Sequence, residues 1–241
     1  MRPDTAVILS AGLGTRMRPL TLETPKPLLL LEGQPILAHT LQHLRKAGVK
    51  KVLVNAHHLS GQIADFLKSY PEATLSIEEE LLETGGAITA MRSKNLLPDH
   101  PFYIINGDAF WADGPTDTLG RLAAAFDPEK MDAMLLLARA AGAVAETGRG
   151  DFLWPRGGRL KRREERDVAP YLFAGVQIVT PALFADAPPP PFSMNLLWDR
   201  AMAAGRLDAI VHDGLWFHLS TPDDLARADA MLDTREVGNT T

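Results

Sequence analysis

The stretch Ala6-Val7-Ile8-Leu9-Ser10-Ala11-Gly12-Leu13-Gly14-Thr15-Arg16-Met17-Arg18-Pro19-Leu20-Thr21, followed by Pro25-Lys26-Pro27, decides how this chain reads. Four apolar residues end in Ser10-Ala11-Gly12, as a buried strand ends before a loop. Two glycines just past that strand let backbone N–H groups approach an anion closely. Arg16, Arg18 and Lys26 add three cations, and an arginine grips phosphate oxygens through two parallel hydrogen bonds. Three cations beside a glycine-rich turn suit a triphosphate better than a single carboxylate. Two commoner phosphate loops do not fit. A dinucleotide fingerprint needs a small residue where Met17 stands, and a P-loop needs Gly-Lys-Ser/Thr where Thr15-Arg16-Met17 stands.

Outward from this loop, short apolar runs alternate with amphipathic ones. Residues 35–47 place Leu37, Leu41 and Leu44 on one helical face, and Gly48 closes that helix. Residues 51–56 read as the next strand, 60–70 as a helix capped by Ser60, and 73–77 as a weaker strand. Gly85-Gly86 opens a short helix reaching about Lys94. Residues 102–105 form a strand that ends in Asn106-Gly107-Asp108. This alternation with short connections means βαβ units and a mainly parallel sheet.

After Ala140 the chain becomes glycine-rich, and Leu160-Lys161-Arg162-Arg163-Glu164-Glu165-Arg166 reads as a solvated charged face. Residues 171–179 form another strand. Residues 193–206 form a helix with Leu196, Leu197, Ala201 and Ala204 on its apolar side. Thr221-Pro222-Asp223-Asp224 opens the last helix with a cap, a first-turn proline and two acids. The expectation is an α/β fold, a Rossmann-like open sheet, mixed but mainly parallel, with helices on both faces. Residues 1–241 are expected to make a single domain, with a nucleotide-binding half (1–140) and an acceptor half (141–241).

Composition narrows the function. Of 241 residues 46% are hydrophobic and 23% charged, too apolar and too mixed in charge for a disordered chain. The net charge is −5 with a pI near 5.8, which lacks the footprint of a nucleic-acid-binding protein. With no cysteine, disulfides, thiolate metal sites and a cysteine nucleophile are excluded. The same absence fits a reducing cytoplasm. The first residues make a poor signal peptide, and no apolar run approaches the roughly 18 residues of a membrane helix. A soluble cytoplasmic protein is expected, with no nucleic-acid or membrane partner.

The phosphate-loop string, with its Pro-Lys-Pro, resembles the signature of the sugar-phosphate nucleotidyltransferases, and the resemblance runs over nearly the whole chain. Ser10 is a mild departure, since that family most often has Ala or Gly there. Leu82-Glu83-Thr84-Gly85-Gly86, Asn106-Gly107-Asp108, Gly148-Arg149-Gly150-Asp151-Phe152 and Phe173-Ala174-Gly175-Val176 are similar to the bacterial branch that acts on N-acetylmuramate 1-phosphate in peptidoglycan sugar recycling. No acyltransferase extension follows, so acetyl transfer is not expected.

The resemblance implies a nucleoside triphosphate and a sugar 1-phosphate as substrates, with UTP and N-acetylmuramate 1-phosphate the leading pair. Mannose 1-phosphate guanylyl transfer, glucose 1-phosphate uridylyl or thymidylyl transfer, and an inactive nucleotide-sugar sensor are the alternatives. The catalytic residues it implies are Arg16, Lys26 and Asp108. The nucleotide is expected on Ala11, Gly12, Gly14, Thr15, Arg16, Asn55, Thr84, Gly85 and Gly86, the two last offering free backbone amides. The sugar phosphate is expected on Asp108, Arg149, Gly150, Asp151, Glu164 and Gly175. The metal, Mg²⁺ with Mn²⁺ as the substitute, falls to Asp108 and to the position of His218.

That position is a departure. The family pattern has an aspartate and then a glycine where this chain has His218 and Ser220. Imidazole is a poor Mg²⁺ ligand. Three roles stay open for His218: a ligand to a softer ion such as Mn²⁺, a donor to a phosphate, or a packed histidine beside a metal held by Asp108 and substrate oxygens. No general base is required, because the attacking phosphate monoester is already largely ionised at neutral pH.

Overall fold

The strand β1 (Thr5–Leu9) lies at the middle of the sheet and sets the position of everything functional. The computed structural model describes residues 2–144, 148–156 and 158–238, with side chains as far as Asp233. After β1 come the short hairpin β2 (Leu30–Leu31) and β3 (Gln34–Pro35), α1 (Ile36–Lys46), β4 (Lys51–Ala56), α2 (Ser60–Leu67), β5 (Ala73–Ile77) and α3 (Glu83–Ser93). Then follow β6 (Phe102–Asn106), β7 (Phe110–Ala112), α4 (Thr118–Ala125), β8 (Ala133–Arg139), β9 (Phe152–Leu153) and β10 (Lys161–Arg162). The chain continues through β11 (Tyr171–Val179), α5 (Met194–Ala203), β12 (Leu207–Val211), β13 (Leu215–Phe217) and α6 (Pro222–Gly238).

Among the described residues a nine-stranded sheet runs β10-β9-β11-β6-β1-β4-β5, with β8 and β12 joined beyond β11. β1, β4, β5 and β6 are parallel, and β11 pairs antiparallel with β6 and β8. The sheet is therefore mixed. From β1 the chain winds one way to β4 and β5, then crosses back through α3 to β6 on the other side of β1. That reversal opens a crevice at the carboxyl ends of β1 and β6, where open α/β sheets bind ligands.

Strand side chains alternate between two cores, as a period of two requires. Ala6, Ile8, Val52, Val54, Tyr103 and Ile105 pack on one face with Leu37, Leu41 and Leu44 of α1. Val7, Leu53, Phe102 and Ile104 pack on the other with Ile88 of α3 and Leu197 of α5. Both faces of the sheet are thus covered by helices. A third cluster ties α6, through Ala228 and Leu232, to Met17 just past the phosphate loop.

Two local expectations change. Ser60 does not cap α2: Leu59 occupies the cap position at φ 54°, without a side-chain hydrogen bond. On α5 the buried side is Met194, Leu197, Trp198 and Ala201, an i, i+3, i+4, i+7 stripe. Leu196 and Ala204 fall off that stripe and are exposed. The opening of α6 does behave as read: Thr221 Oγ1 accepts from Asp224 N–H, and Asp224 Oδ2 accepts from the N–H groups of Ser220 and Thr221.

Candidate active site

The residues after β1 form a loop whose backbone is largely uncommitted. Gly14 sits at φ 60°, a left-handed conformation that glycine adopts without strain. A Cβ there would also meet the Thr21 methyl and Lys26 Cβ at 2.9 and 3.3 Å. Its carbonyl accepts from Met17 N–H and Thr21 Oγ1, which folds the loop back on itself. The N–H groups of Gly12 and Leu13 have no partner among the described residues.

Beneath this loop lies a buried polar splint. Asn55, at the end of β4, accepts from Ser10 N–H at 2.5 Å and donates through Nδ2 to Glu78 Oε1 at 2.6 Å. Glu78 Oε2 in turn accepts from Leu82 N–H at 3.4 Å. Asn55 is 2% and Glu78 8% exposed, so the ends of β1, β4 and β5 are locked to the start of α3 by bonds that water does not weaken. Gly107 N–H donates to Leu9 carbonyl across the neighbouring gap, and a Cβ at Gly107 would strike Ser10 Oγ.

A cavity of about 410 Å³ opens above this floor. Ala11, Gly12, Gly14, Thr15, Arg16, Lys26, Asn55, Thr84 and Asp108 all line it, so the structure brings the expected catalytic trio and most of the expected nucleotide-side residues together. Lys26 Nζ lies 2.5 Å from Asp108 Oδ2. A second cavity, of about 510 Å³, adjoins it and shares Leu9, Arg16, Thr84 and Asn106 with it. Its own walls include Asp151, Arg162, Gln177, Ser193, Asn195 and Trp198. Arg16 lines both cavities, and its guanidinium makes no hydrogen bond or ion pair with the described residues.

Other expected residues behave differently. The amides of Gly85 and Gly86 are not free: both donate to the Phe192 carbonyl, at 2.9 and 3.0 Å. These glycines are required instead by close packing, since a Cβ would run into the Phe192 ring at Gly85 and into Pro190 at Gly86. Arg149 donates to the Glu165 carbonyl, and Glu164 is exposed with its N–H on Asp167. Neither lines the two cavities. Gly150, at φ 72°, lies against the Ala169 carbonyl, where no side chain fits. Gly175, at φ 80° in a bulge of β11, lets Asn106 and Ala109 pack close, and so shapes the cleft from behind. Asp151 does face the second cavity, with Oδ2 accepting from Phe173 N–H at 2.9 Å.

His218 follows β13 and lines a third space with Arg16, Asp151 and Ser220. Burial lowers its pKa below the ordinary histidine value, and the Arg16 charge lowers it further, while Asp108 pulls the other way. A neutral ring at physiological pH follows. Among the described residues no group of three or more His, Asp or Glu is placed to hold a metal ion. Asp108 lines the first cavity together with Glu78 and Glu83, and its side chain is 42% exposed.

Sequence reasoning missed Glu78, Gln177, Ser193, Asn195 and Trp198; Arg162 is exposed, as the charged run suggests, and lines the second cavity as well. Glu78 is one of three consecutive glutamates, and nothing local marks it as the buried one. Gln177 and Trp198 are joined by a buried hydrogen bond at 2.9 Å between strand and helix.

Comparison with known proteins accords with this geometry. Residues 5–139 match the family model described as nucleotidyl transferase. The chain is 35% identical over 237 residues to N-acetylmuramate alpha-1-phosphate uridylyltransferase of Caulobacter vibrioides, covering 95% of this chain and 97% of that protein. It is 30% identical over 230 residues to mannose-1-phosphate guanylyltransferase catalytic subunit beta of Danio rerio, covering 91% of this chain and 62% of that one. A solved UDP-glucose pyrophosphorylase complexed with UDP-glucose superposes with a TM-score of 0.78 at 16% identity, over 97% of this chain and 99% of that one. The HddC protein of Yersinia pseudotuberculosis complexed with GMP-PN does so at 0.74 and 22%, over 95% and 99%. Likeness at those identities speaks for the fold alone. No helix among the described residues is long and apolar enough to cross a membrane.

Proposed function

The chain belongs to the nucleotidyl transferase family, and on that premise we propose that it transfers a uridylyl group from UTP to N-acetylmuramate 1-phosphate. An oxygen of the acceptor phosphate attacks the α-phosphorus of UTP, the bond from that phosphorus to the bridging oxygen breaks, and pyrophosphate leaves. The products are UDP-N-acetylmuramate and pyrophosphate. On this reading the protein works in the bacterial cytoplasm, returning cell-wall sugars to a nucleotide-activated form. The choice of substrate pair rests on the Caulobacter relative. The observation that carries the reaction class is the meeting of two cavities at one uncommitted arginine, Arg16.

Each residue then has a part. The open N–H groups of the loop around Gly12 receive phosphate oxygens. Arg16, between the two cavities, stabilises the charge that gathers on the departing pyrophosphate. Lys26, tied to Asp108, holds a positive charge at the base of the phosphates. Asn55, with both amide atoms already bonded within the protein, acts on the nucleotide through the loop that it fixes. The work is positioning and charge stabilisation, with no proton to remove from the nucleophile.

The donor set suits a divalent cation of the magnesium kind, with manganese as its substitute. Mg²⁺ takes oxygen ligands, keeps several waters, and is bound by one or two carboxylates together with substrate phosphates. Asp108, which also pairs with Lys26 and is 42% exposed, is one carboxylate that meets that requirement, and His218 lines the neighbouring space. Bound there, the cation would neutralise charge on the α-phosphate.

Pyrophosphate release over four nucleoside triphosphates tests the proposal, with the 1-phosphates of N-acetylmuramate, N-acetylglucosamine, glucose and mannose as acceptors. Turnover with UTP and the muramyl acceptor is expected. Turnover confined to another pair would replace the substrates, and nucleotide binding without any turnover would make the protein a sensor.

A further inference from the structure

The second cavity raises a question of charge. On the substrate reading above, on which this inference rests, the acceptor carries a lactyl ether whose carboxylate is ionised at neutral pH, and burying that charge without a cation is unfavourable. Two cations line this cavity, Arg16 and Arg162. Arg16 is shared with the phosphate cavity and sits where the two meet. We propose that Arg162 binds the carboxylate of the acceptor sugar and so sets a preference for an acid-bearing acceptor over its neutral counterpart.

The hairpin register explains why Arg162, and not its neighbours, faces the cavity. β10 pairs antiparallel with β9, with Arg162 directly opposite Phe152. Directly paired residues point to the same side of a ladder. Phe152 is buried on the side of Trp198, with ring centroids 6.3 Å apart, so Arg162 is directed toward the same wall. Two nearby arginines are already committed. Arg149 donates to the Glu165 carbonyl, and Arg163 donates to the carbonyls of Gly150, Glu164 and Glu165. Among the described residues Arg162 has one loose polar contact, 3.5 Å to Asp199 Oδ1, with side chains 37% and 57% exposed. So open a pair is held weakly and exchanges readily for a substrate carboxylate, and a guanidinium matches a carboxylate with two parallel hydrogen bonds.

The test compares kcat/KM, at saturating UTP, for N-acetylmuramate 1-phosphate and N-acetylglucosamine 1-phosphate, which differ by the lactyl ether alone. The wild type is expected to prefer the muramyl acceptor. Arg162→Gln is expected to lower that preference by roughly tenfold to a hundredfold, mainly through KM, the scale of one charge-assisted hydrogen bond. Arg162→Lys, which keeps the charge but loses the fork, is expected to restore part of it. A wild type that discriminates and an Arg162→Gln variant that keeps the full ratio would overturn the role of Arg162 while leaving the substrate reading intact. A wild type that turns over other acceptors but not the muramyl one would overturn the substrate reading and this inference with it.

Discussion

Lys26 Nζ lies 2.5 Å from Asp108 Oδ2, joining residues 82 positions apart across the mouth of the phosphate cavity. The ammonium side chain is only 10% exposed and the carboxylate 42%. Asp108 thus holds a nearly buried cation in place while presenting itself to the cleft. On the proposed function the two groups act as a unit, Lys26 toward phosphate and Asp108 toward a cation. Lys26→Ala and Asp108→Asn are each expected to lower kcat by at least about a hundredfold, the usual scale for losing one transition-state donor, and Arg16→Ala likewise. Steady-state pyrophosphate release checks this, and near-normal turnover in any of the three contradicts the assignment.

His218 stands within the electrostatic reach of Arg16, Asp108 and Lys26. If the ring limits the enzyme by offering nitrogen where magnesium prefers oxygen, His218→Asp should raise kcat at saturating Mg²⁺. It should also lower the Mg²⁺ concentration needed for half-maximal rate. A variant with unchanged or lower activity at every Mg²⁺ concentration would assign His218 to packing.

Asn55→Ala removes both ends of the splint between Ser10 and Glu78. It leaves a carboxylate 8% exposed without its amide donor. Urea unfolding is expected to show a loss of roughly 1–3 kcal/mol, the usual penalty for stranding a buried polar group. Nucleotide affinity should fall with it, because the loop at Ser10 loses its anchor. An unchanged unfolding midpoint would show that the splint carries no stability.

Stability should fall in mild acid. His43, His212 and His218 are all held below the ordinary histidine value of 6.5, by burial first of all. A group with a depressed folded pKa binds its proton more readily in the unfolded chain. Its contribution is therefore full above the unfolded value and lost as pH falls through the folded one. His212 shows the cause: burial outweighs the carbonyls of Ala112 and Leu215, 3.2 and 3.1 Å from its Nε2, which together with Asp213 and Asp113 pull the other way. The urea midpoint should drop between about pH 7.5 and about pH 5.5, above the range where ordinary carboxylates titrate. A flat profile there would contradict the sign.

Much of the scaffold is local and could be read from the chain. β4 (Lys51–Ala56), β5 (Ala73–Ile77) and β11 (Tyr171–Val179) lie where the apolar runs put them, and the phosphate loop lines its cavity because its chemistry sits within one short segment. What was not legible depends on contacts made across the fold. Gly85 and Gly86 read as an open helix start, but the Phe192 carbonyl, far along the chain, takes both amides. Glu78 looks like Glu79 and Glu80 until Asn55 is placed beside it. Arg162 reads as solvated and is exposed, but only its pairing with Phe152 fixes which way it points.

The central claim, transfer of a nucleoside monophosphate to a sugar 1-phosphate, is tested most directly by following an α-phosphate label. UTP radiolabelled at the α-phosphorus is incubated with the protein, N-acetylmuramate 1-phosphate and Mg²⁺, and the products are separated. The account expects the label in a UDP-sugar of the acceptor's mass, with unlabelled pyrophosphate released in equal amount. Label that remains in UTP, or that moves to free UMP whether or not the acceptor is present, would contradict it.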